Sequence, residues 1–366
     1  MNIRARKWLV VLPLLIAAAC GRQPAKLTEQ EKRNVSKLTE NLKTRCVGRY
    51  LIDVPDDALS RGDLTVQGVT FETKRMSVDE FVREMNAYEA SLIAKKNMYG
   101  YQVLYDHGQV PKTPYSRYFV TLSDLDDTAD LTRAIEAYKW DAGYEIKLRI
   151  EASDWVHSTY KLKVQNTPYA VPDIPINDVP EKTRLVLSFA ASVRGRADDE
   201  IPGEPGVCFK DGFLPRKAAV GEDVSVLFAL KDKTDVSFTL KTDTDLRELP
   251  KDTLLNRLPD IRSAIKDPNT NGHIIRSGAV DVSSIKAEEL LLSGTTSARI
   301  PGHNFTLQAN TATSGALTPY LVLDMDNGDF NSFTADSLKK ASLTESEAIA
   351  LWDIVSRTLR PRPNAF

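Results

Sequence analysis

An apparent internal duplication restricts the fold of this chain more than any other feature: two units open on a cysteine and then repeat the same order of elements. One opens Cys46-Val-Gly-Arg-Tyr-Leu-Ile-Asp-Val-Pro55 and the other Cys208-Phe-Lys-Asp-Gly-Phe-Leu-Pro215, so that glycine, an aromatic, leucine and proline follow each cysteine. Strand patterns come next. They are Leu64–Val66 and Val69–Lys74 in the first unit, then Val224, Val226, Phe228 and Leu230, and Val236, Phe238 and Leu240, in the second. Alternation with period two marks strands with one buried face. A capping box, Ser77-Val-Asp-Glu80, opens a helix predicted over 77–96, with Val78, Phe81, Val82, Met85 and Ile93 at helical spacing. Its counterpart is Lys251–Ile265, which Pro259 is expected to kink or split.

Later elements correspond as well. Tyr144, Ile146, Leu148 and Ile150 alternate with charged residues, as in a strand with one wet face, and Tyr320–Met325 holds the matching place. Pro180 stands in the first turn of one closing helix, and Thr344 with Glu347 caps the other, which carries Ala348, Leu351, Trp352, Val355 and Leu359. Glycine and proline between Gly195 and Gly206 mark a boundary. The expected fold class is α+β, with two similar domains, each an antiparallel sheet with helices packed on one face. The expected limits are 44–196 and 207–366, joined by a linker over 197–206.

The N-terminus reads as an export signal over residues 1–19. Arg4, Arg6 and Lys7 precede an uncharged run from Trp8 to Ala19, too short to span a bilayer as a helix. The run ends Ala17-Ala18-Ala19-Cys20, small residues before a cysteine, which predicts lipidation at Cys20. Gly21 rather than Asp follows, so the inner leaflet of the outer membrane, facing the periplasm, is the expected address. Residues 20–43 are polar, with sparse Leu27, Val35, Leu38 and Leu42, and read as a tether with a frayed helix near its end. Lys and Arg total 48 and Asp and Glu 50, so loss of the signal's three basic residues leaves a mature chain near −5. That balance argues against nucleic acid or anionic lipid as the partner and leaves the lipid anchor as the expected membrane contact.

Besides Cys20 the cysteines are Cys46 and Cys208, at equivalent places in the two units. Equivalent positions can meet near a pseudo-twofold axis in an oxidising compartment. One reading is therefore a Cys46–Cys208 disulfide, and the other is two separate buried thiols. Catalytic signatures are missing. No Gly-x-Ser-x-Gly elbow, phosphate loop or dinucleotide fingerprint occurs, and His107, His157, His273 and His303 have no companion at a recognisable offset. Asp324-Met-Asp326-Asn-Gly328-Asp329 resembles a calcium loop, but its glycine is misplaced and Ala335 stands where the closing glutamate belongs, so it reads as a strand end and turn. Neither a cofactor nor a metal is expected. The acids Asp126, Asp127, Asp198, Asp199 and Glu200 suit a basic partner surface and are the candidate partner contacts.

The opening Cys46–Pro55 stretch, Val207-Cys208-Phe-Lys-Asp-Gly-Phe213, Ala350-Leu-Trp-Asp353 and Leu359-Arg-Pro-Arg-Pro363 together resemble the immunity proteins for type VI secretion lipase effectors. The nearest pattern is the fourth group of Tle cognate immunity proteins, whose two domains would cover about residues 40–366. The chain departs from it in Ser297–Phe305, which lacks the acids of the family's turn. The resemblance implies a non-catalytic periplasmic protein that binds a phospholipase delivered by a neighbouring cell, with both domains gripping the lipase and restraining its lid. An envelope lipoprotein binding a lipid or glycan between the same lobes is the second reading. An unrecognised hydrolase is the third.

Overall fold

The computed structural model describes residues 26–126, 128–160, 176–267, 270–334 and 337–366. The first half carries α1 (Glu29–Thr39), β1 (Leu42–Val47), β2 (Tyr50–Pro55), β3 (Leu59–Val66), β4 (Val69–Arg75) and α2 (Val78–Ile93). It continues with β5 (Leu104–Gly108), β6 (Ser116–Leu122), β7 (Thr132–Asp141), β8 (Tyr144–Ser153), α3 (Val179–Ser192) and β9 (Arg194–Gly195). The second half has β10 (Gly206–Phe209), β11 (Gly212–Pro215), β12 (Glu222–Leu230), β13 (Lys233–Asp243), α4 (Leu258–Ala264) and β14 (His273–Val282). Then follow β15 (Ile285–Thr295), β16 (Pro301–Ala309), β17 (Tyr320–Asn327), α5 (Glu345–Ser356) and β18 (Arg360–Pro361).

A single 12-stranded antiparallel sheet passes through both halves in the order β14-β15-β16-β17-β13-β12-β3-β4-β8-β7-β6-β5. Outward from the middle, each half repeats the same sequence of strands. A pseudo-twofold axis therefore runs between β3 and β12, where Asp63 stands opposite Ser225. That pair has the same 162-residue separation as the two cysteines. The α+β class holds, and the two sheets are one. Local alternation specifies which face of a strand is buried, but it carries no information about which edge strand will pair with which.

One face of the sheet is closed. Leu64, Val66, Phe71, Ile146 and Leu148 from the first half, and Val226, Phe238, Leu240, Leu307 and Leu323 from the second, join one continuous core beneath α3 and α5. Between sheet and helices lie the two opening hairpins, and they are exchanged. The β10–β11 hairpin pairs with β9, and its Phe209 ring packs 5.7 Å from Phe71, which in turn lies 5.9 Å from Phe189 of α3. Reciprocally, the β1–β2 hairpin pairs with β18 at the end of the chain, and Tyr50 meets Phe366 at 6.0 Å. Each half of the sequence lends its first hairpin to the other.

The hairpins touch at the axis. Cys46 and Cys208 are disulfide-bonded with Cα atoms 5.6 Å apart, and Gly48 and Cys208 exchange two backbone hydrogen bonds of 2.8 Å. Two buried arginines at equivalent positions hold the segments behind them. Arg196 donates to the carbonyls of Ala197, Asp198, Glu200, Phe209 and Gly212, and Arg362 to those of Pro202, Glu204 and Gly206.

Helices begin where the sequence places their caps. Ser77 and Glu80 exchange bonds at the start of α2, and Thr344 and Glu347 do so at α5. Pro259, expected to kink a helix over 251–265, instead stands in the first turn of the short α4, where its missing N–H costs nothing; the preceding residues form a 3-10 turn at Pro250–Asp252. The stretch expected as a tether is also partly structured. Thr28 and Glu31 form a capping box for α1, which buries Val35 and reaches α5 through an Asn34–Glu347 hydrogen bond of 2.7 Å. Its apolar residues are too few for a core of their own, but enough to dock one helix against another.

Candidate protein-binding surface

The closing helices α3 and α5 keep to one face of the sheet, whereas α2 and α4 stand on the opposite face near its two ends. Phe81 and Met85 of α2 pack on Phe119 and Tyr138, whose neighbours Val120 and Ala137 point to the closed side. Just before α4, the Leu255 N–H donates to Glu288 and Arg257 reaches Gln308, on the same open side of β15 and β16. Among the described residues, no helix crosses this face over the six strands between, β17, β13, β12, β3, β4 and β8, although Glu84 of α2 reaches in to Lys74 of β4. With strands about 4.8 Å apart, the result is a trough about 25 Å wide, walled by α2 and α4 and crossed by the pseudo-twofold axis.

Its floor is charged, and unevenly so. The bases of β4 and β8 on this face all have acid partners: Lys74 pairs with Glu84 of α2 at 3.0 Å, Lys147 with Glu136 of β7 at 2.9 Å and Arg149 with Glu151 at 3.0 Å. Across the axis the balance turns acidic. Lys241 serves Asp223 at 3.5 Å and Asp243 at 3.9 Å, while Asp324 and Asp326 have no ion pair among the described residues. Thr306 donates to Asp324 and Asn304 to Asp326. Burial, reinforced by Asp326, pushes the Asp324 carboxyl up to about 6, against the pull of the Thr306 hydroxyl.

A pH dependence follows. Because the folded value lies above the ordinary 3.8, the folded state holds this proton more tightly than the unfolded chain. The associated stability is fully present below about pH 4 and is lost as pH rises through about 6. Asp324→Asn keeps the Thr306 bond and is expected to raise stability at pH 7 by about 1–2 kcal/mol, discounted for partial exposure. The gain should fade towards pH 4. Denaturant melts of both proteins across that range test the expectation, and a constant difference between them would refute it.

Apolar side chains gather at one end of the trough. Strand register decides which loops share that end: Leu104 pairs with Thr121, Thr132 with Ser153, Val66 with both Val69 and Glu222, and Asp243 with Tyr320. The loops leading into β5 and β12, leaving β13 and joining β16 to β17 therefore form one rim. It exposes Met98, Tyr99 and Tyr105 on the first half and Val220, Leu246, Leu249 and Leu317 on the second. Met98 is 75% exposed and Leu317 69%. Large side chains this open, contributed by both halves around a polar floor, are the composition expected of a protein-binding surface.

Comparison with known proteins identifies the lineage. Residues 43–196 match the Tle cognate immunity protein 4 N-terminal domain, and residues 200–364 match the C-terminal domain of the same family. The chain belongs to the Tle cognate immunity protein 4 family. No curated protein matches the sequence. Among solved structures, a chain of the crystal structure of the Tle4–Tli4 complex is similar with a TM-score of 0.68 and 18% identity, covering 89% of this chain and 99% of that one. The apo immunity protein TplEi from Pseudomonas aeruginosa is similar with a TM-score of 0.66 at 18% identity, over 88% of this chain and 98% of its own. TplEi complexed with "L" peptide gives 0.63 at 18% identity, over 88% and 99%. At this identity the likeness is one of fold.

Within this family member the acids singled out from sequence divide. Cys20 and Asp127 lie outside the described residues. Asp126 is exposed in the loop between β6 and β7, and Asp199 is exposed beyond β9. Asp198, by contrast, pairs with Lys210 at 2.8 Å and accepts from Ser60 at 3.0 Å, and Glu200 pairs with Arg194 at 2.7 Å. Asp198 thus ties the turn of the exchanged β10–β11 hairpin, whereas Glu200 is exposed and pairs with β9. None of the four described acids lies on the strands that floor the trough.

Every histidine meets an acid; His157 finds its own three residues back in the same loop, and the partners of the other three come from distant elements that the sequence does not reveal. His107 lies 2.6 Å from Glu89, His157 3.1 Å from Asp154, His273 3.1 Å from Glu345 and His303 3.9 Å from that same carboxylate. His303 is fixed as a neutral ring. Asn327, oriented by both backbone groups of Leu343, donates to its Nδ1, so the ring proton belongs on Nε2. Burial lowers its proton affinity further. Such a ring has no free lone pair for a metal, and no group of three or more potential ligands is placed to hold one among the described residues. The Asp324–Asp329 stretch is the end of β17 followed by a turn in which Gly328 has φ +92°.

Proposed function

We propose that this chain is an exported, non-catalytic immunity protein that binds a lipase effector of type VI secretion, one to one, across the open face of its sheet. The match of both units to one immunity family carries the reading. The trough supports it, since a floor of charged side chains edged by exposed Met98, Tyr99, Leu249 and Leu317 suits a folded protein better than an acyl chain. A similar fold is found in the Tle4–Tli4 complex.

The place of action in this proposal is the periplasm. Export follows from the signal ending at Ala19, with lipid on Cys20 as the anchor and the inner leaflet of the outer membrane as the address. No helix among the described residues is long and apolar enough to cross a membrane. The mature protein without its lipidated cysteine, residues 21–366, oxidised, is to be titrated into the lipase encoded beside it. Capture with loss of lipase activity at one equivalent is the expected outcome. A lipase that stays active and unbound would reject the proposal in favour of an envelope lipoprotein with another ligand.

A further inference from the structure

Where the open face meets the β15–β16 hairpin, a cavity of about 310 Å³ opens beside the end of α4. Ile265 and Leu292 supply apolar wall, and Gly272, Gly294 and Gly302 bring bare backbone to its edge. Asp326 forms the charged wall, with Asp329 beside it, whose carboxylate accepts from Ser297. The Asp326 carboxylate accepts one hydrogen bond, 2.8 Å from Asn304, has no ion pair among the described residues, and is partly withdrawn from water. A carboxylate offers about four acceptor sites, so most of its capacity is unused. Burial without an opposite charge costs stability in the free protein, as the raised proton affinity of this group reflects.

A cavity with an aliphatic wall on one side and an uncompensated carboxylate on the other is complementary to one kind of side chain. Lysine and arginine carry a long apolar stem ending in a cation, and they bury the stem while the head keeps a polar partner. A bare metal ion would want several oxygen or nitrogen ligands, and the neighbouring His303 has its free nitrogen already occupied. We infer that this cavity receives a basic side chain, arginine or lysine, presented by the bound lipase, with its stem against Ile265 and Leu292 and its cation on Asp326. The inference rests on the proposed function and adds a point of charge recognition to it; Ser297 and His303 also line the cavity.

The test is the dissociation rate of the complex with the neighbouring lipase, measured by biolayer interferometry on the oxidised mature protein. Asp326→Asn preserves shape and the Asn304 contact. It is expected to speed dissociation by about thirtyfold or more, as loss of one member of a buried charge pair does, while Asp326→Lys should lose more. Asp57→Asn, an exposed acid in the turn after β2, is the control and should match the wild type. A melting temperature for Asp326→Asn equal to or above that of the wild type will show that the variant is folded. Wild-type dissociation kinetics in Asp326→Asn, with the lipase still captured, would overturn the inference and leave the immunity function standing. Failure of the wild-type protein to capture the lipase would instead remove the proposed function, and this inference with it.

Discussion

Replacing both Cys46 and Cys208 with alanine is expected to lower the stability of the oxidised protein by about 5 kcal/mol, the loop-closure value for so wide a link. The bond joins residues 162 apart. Both cysteines are buried, at 3% and 0% exposure, so alanine leaves only small voids and the expected loss comes chiefly from the freed unfolded chain. Urea melts of the variant, set beside wild type with and without reductant, separate the effects. Reduced wild type and the double variant should agree. A variant within about 1 kcal/mol of oxidised wild type would mean that the hairpins are held by their hydrogen bonds and rings alone, with the link adding little.

The second large effect is expected at the paired arginines. Arg196 is only 2% exposed, and Arg196→Leu removes five hydrogen bonds to carbonyl oxygens, of which only that of Ala197 is seen to keep another donor, the Glu200 N–H. Even with partial relief by water, the loss should reach about 3–5 kcal/mol, since each unsatisfied buried group costs about 1–3. Arg362→Leu removes three and should cost less. Lysine should not rescue either site, because a single ammonium cannot reach carbonyls spread around a planar fork. Limited proteolysis gives an independent reading: cleavage within 197–206 should accelerate in both variants. Protection equal to wild type would mean that the segment is held by other contacts.

Much of this architecture was legible because it is written in local patterns. Capping boxes at Ser77 and Thr344 set the starts of α2 and α5, and alternation in Tyr144–Glu151 set the faces of β8. The duplication continues past the closing helices. Val193-Arg194-Gly195-Arg196 aligns with Leu359-Arg360-Pro361-Arg362, and both stretches end on a buried arginine that braces a hairpin. What stayed hidden is relational. The residues of β1–β2 would read the same whichever half they packed into, and nothing local to β3 announces that it pairs over eight positions with β12 but over three with β4. The trough was hidden for the same reason, since its acidic side is assembled from alternate residues of β12, β13 and β17. Of the acids that stand out as neighbours in sequence, Asp198 is paired with Lys210 of the exchanged hairpin and Glu200 with Arg194 of β9.

The exchanged hairpins bear on how such a chain can meet an irregular target. Two like units that complete one another are, in symmetry terms, a homodimer fused into one polypeptide; in a single-unit ancestor the hairpin would have been buried in a second copy, with the cystine running between subunits. A true dimer must present each surface twice, because any change in one copy appears in the other. Fusion lifts that constraint. Here one wall of the trough is a 16-residue helix with a capping box and the other a 7-residue helix with a proline in its first turn and no side-chain cap. The floor is charge-balanced on one side and acidic on the other. A duplicated scaffold that keeps its axis in the buried layer while losing it on the exposed face can fit a partner that has no symmetry of its own.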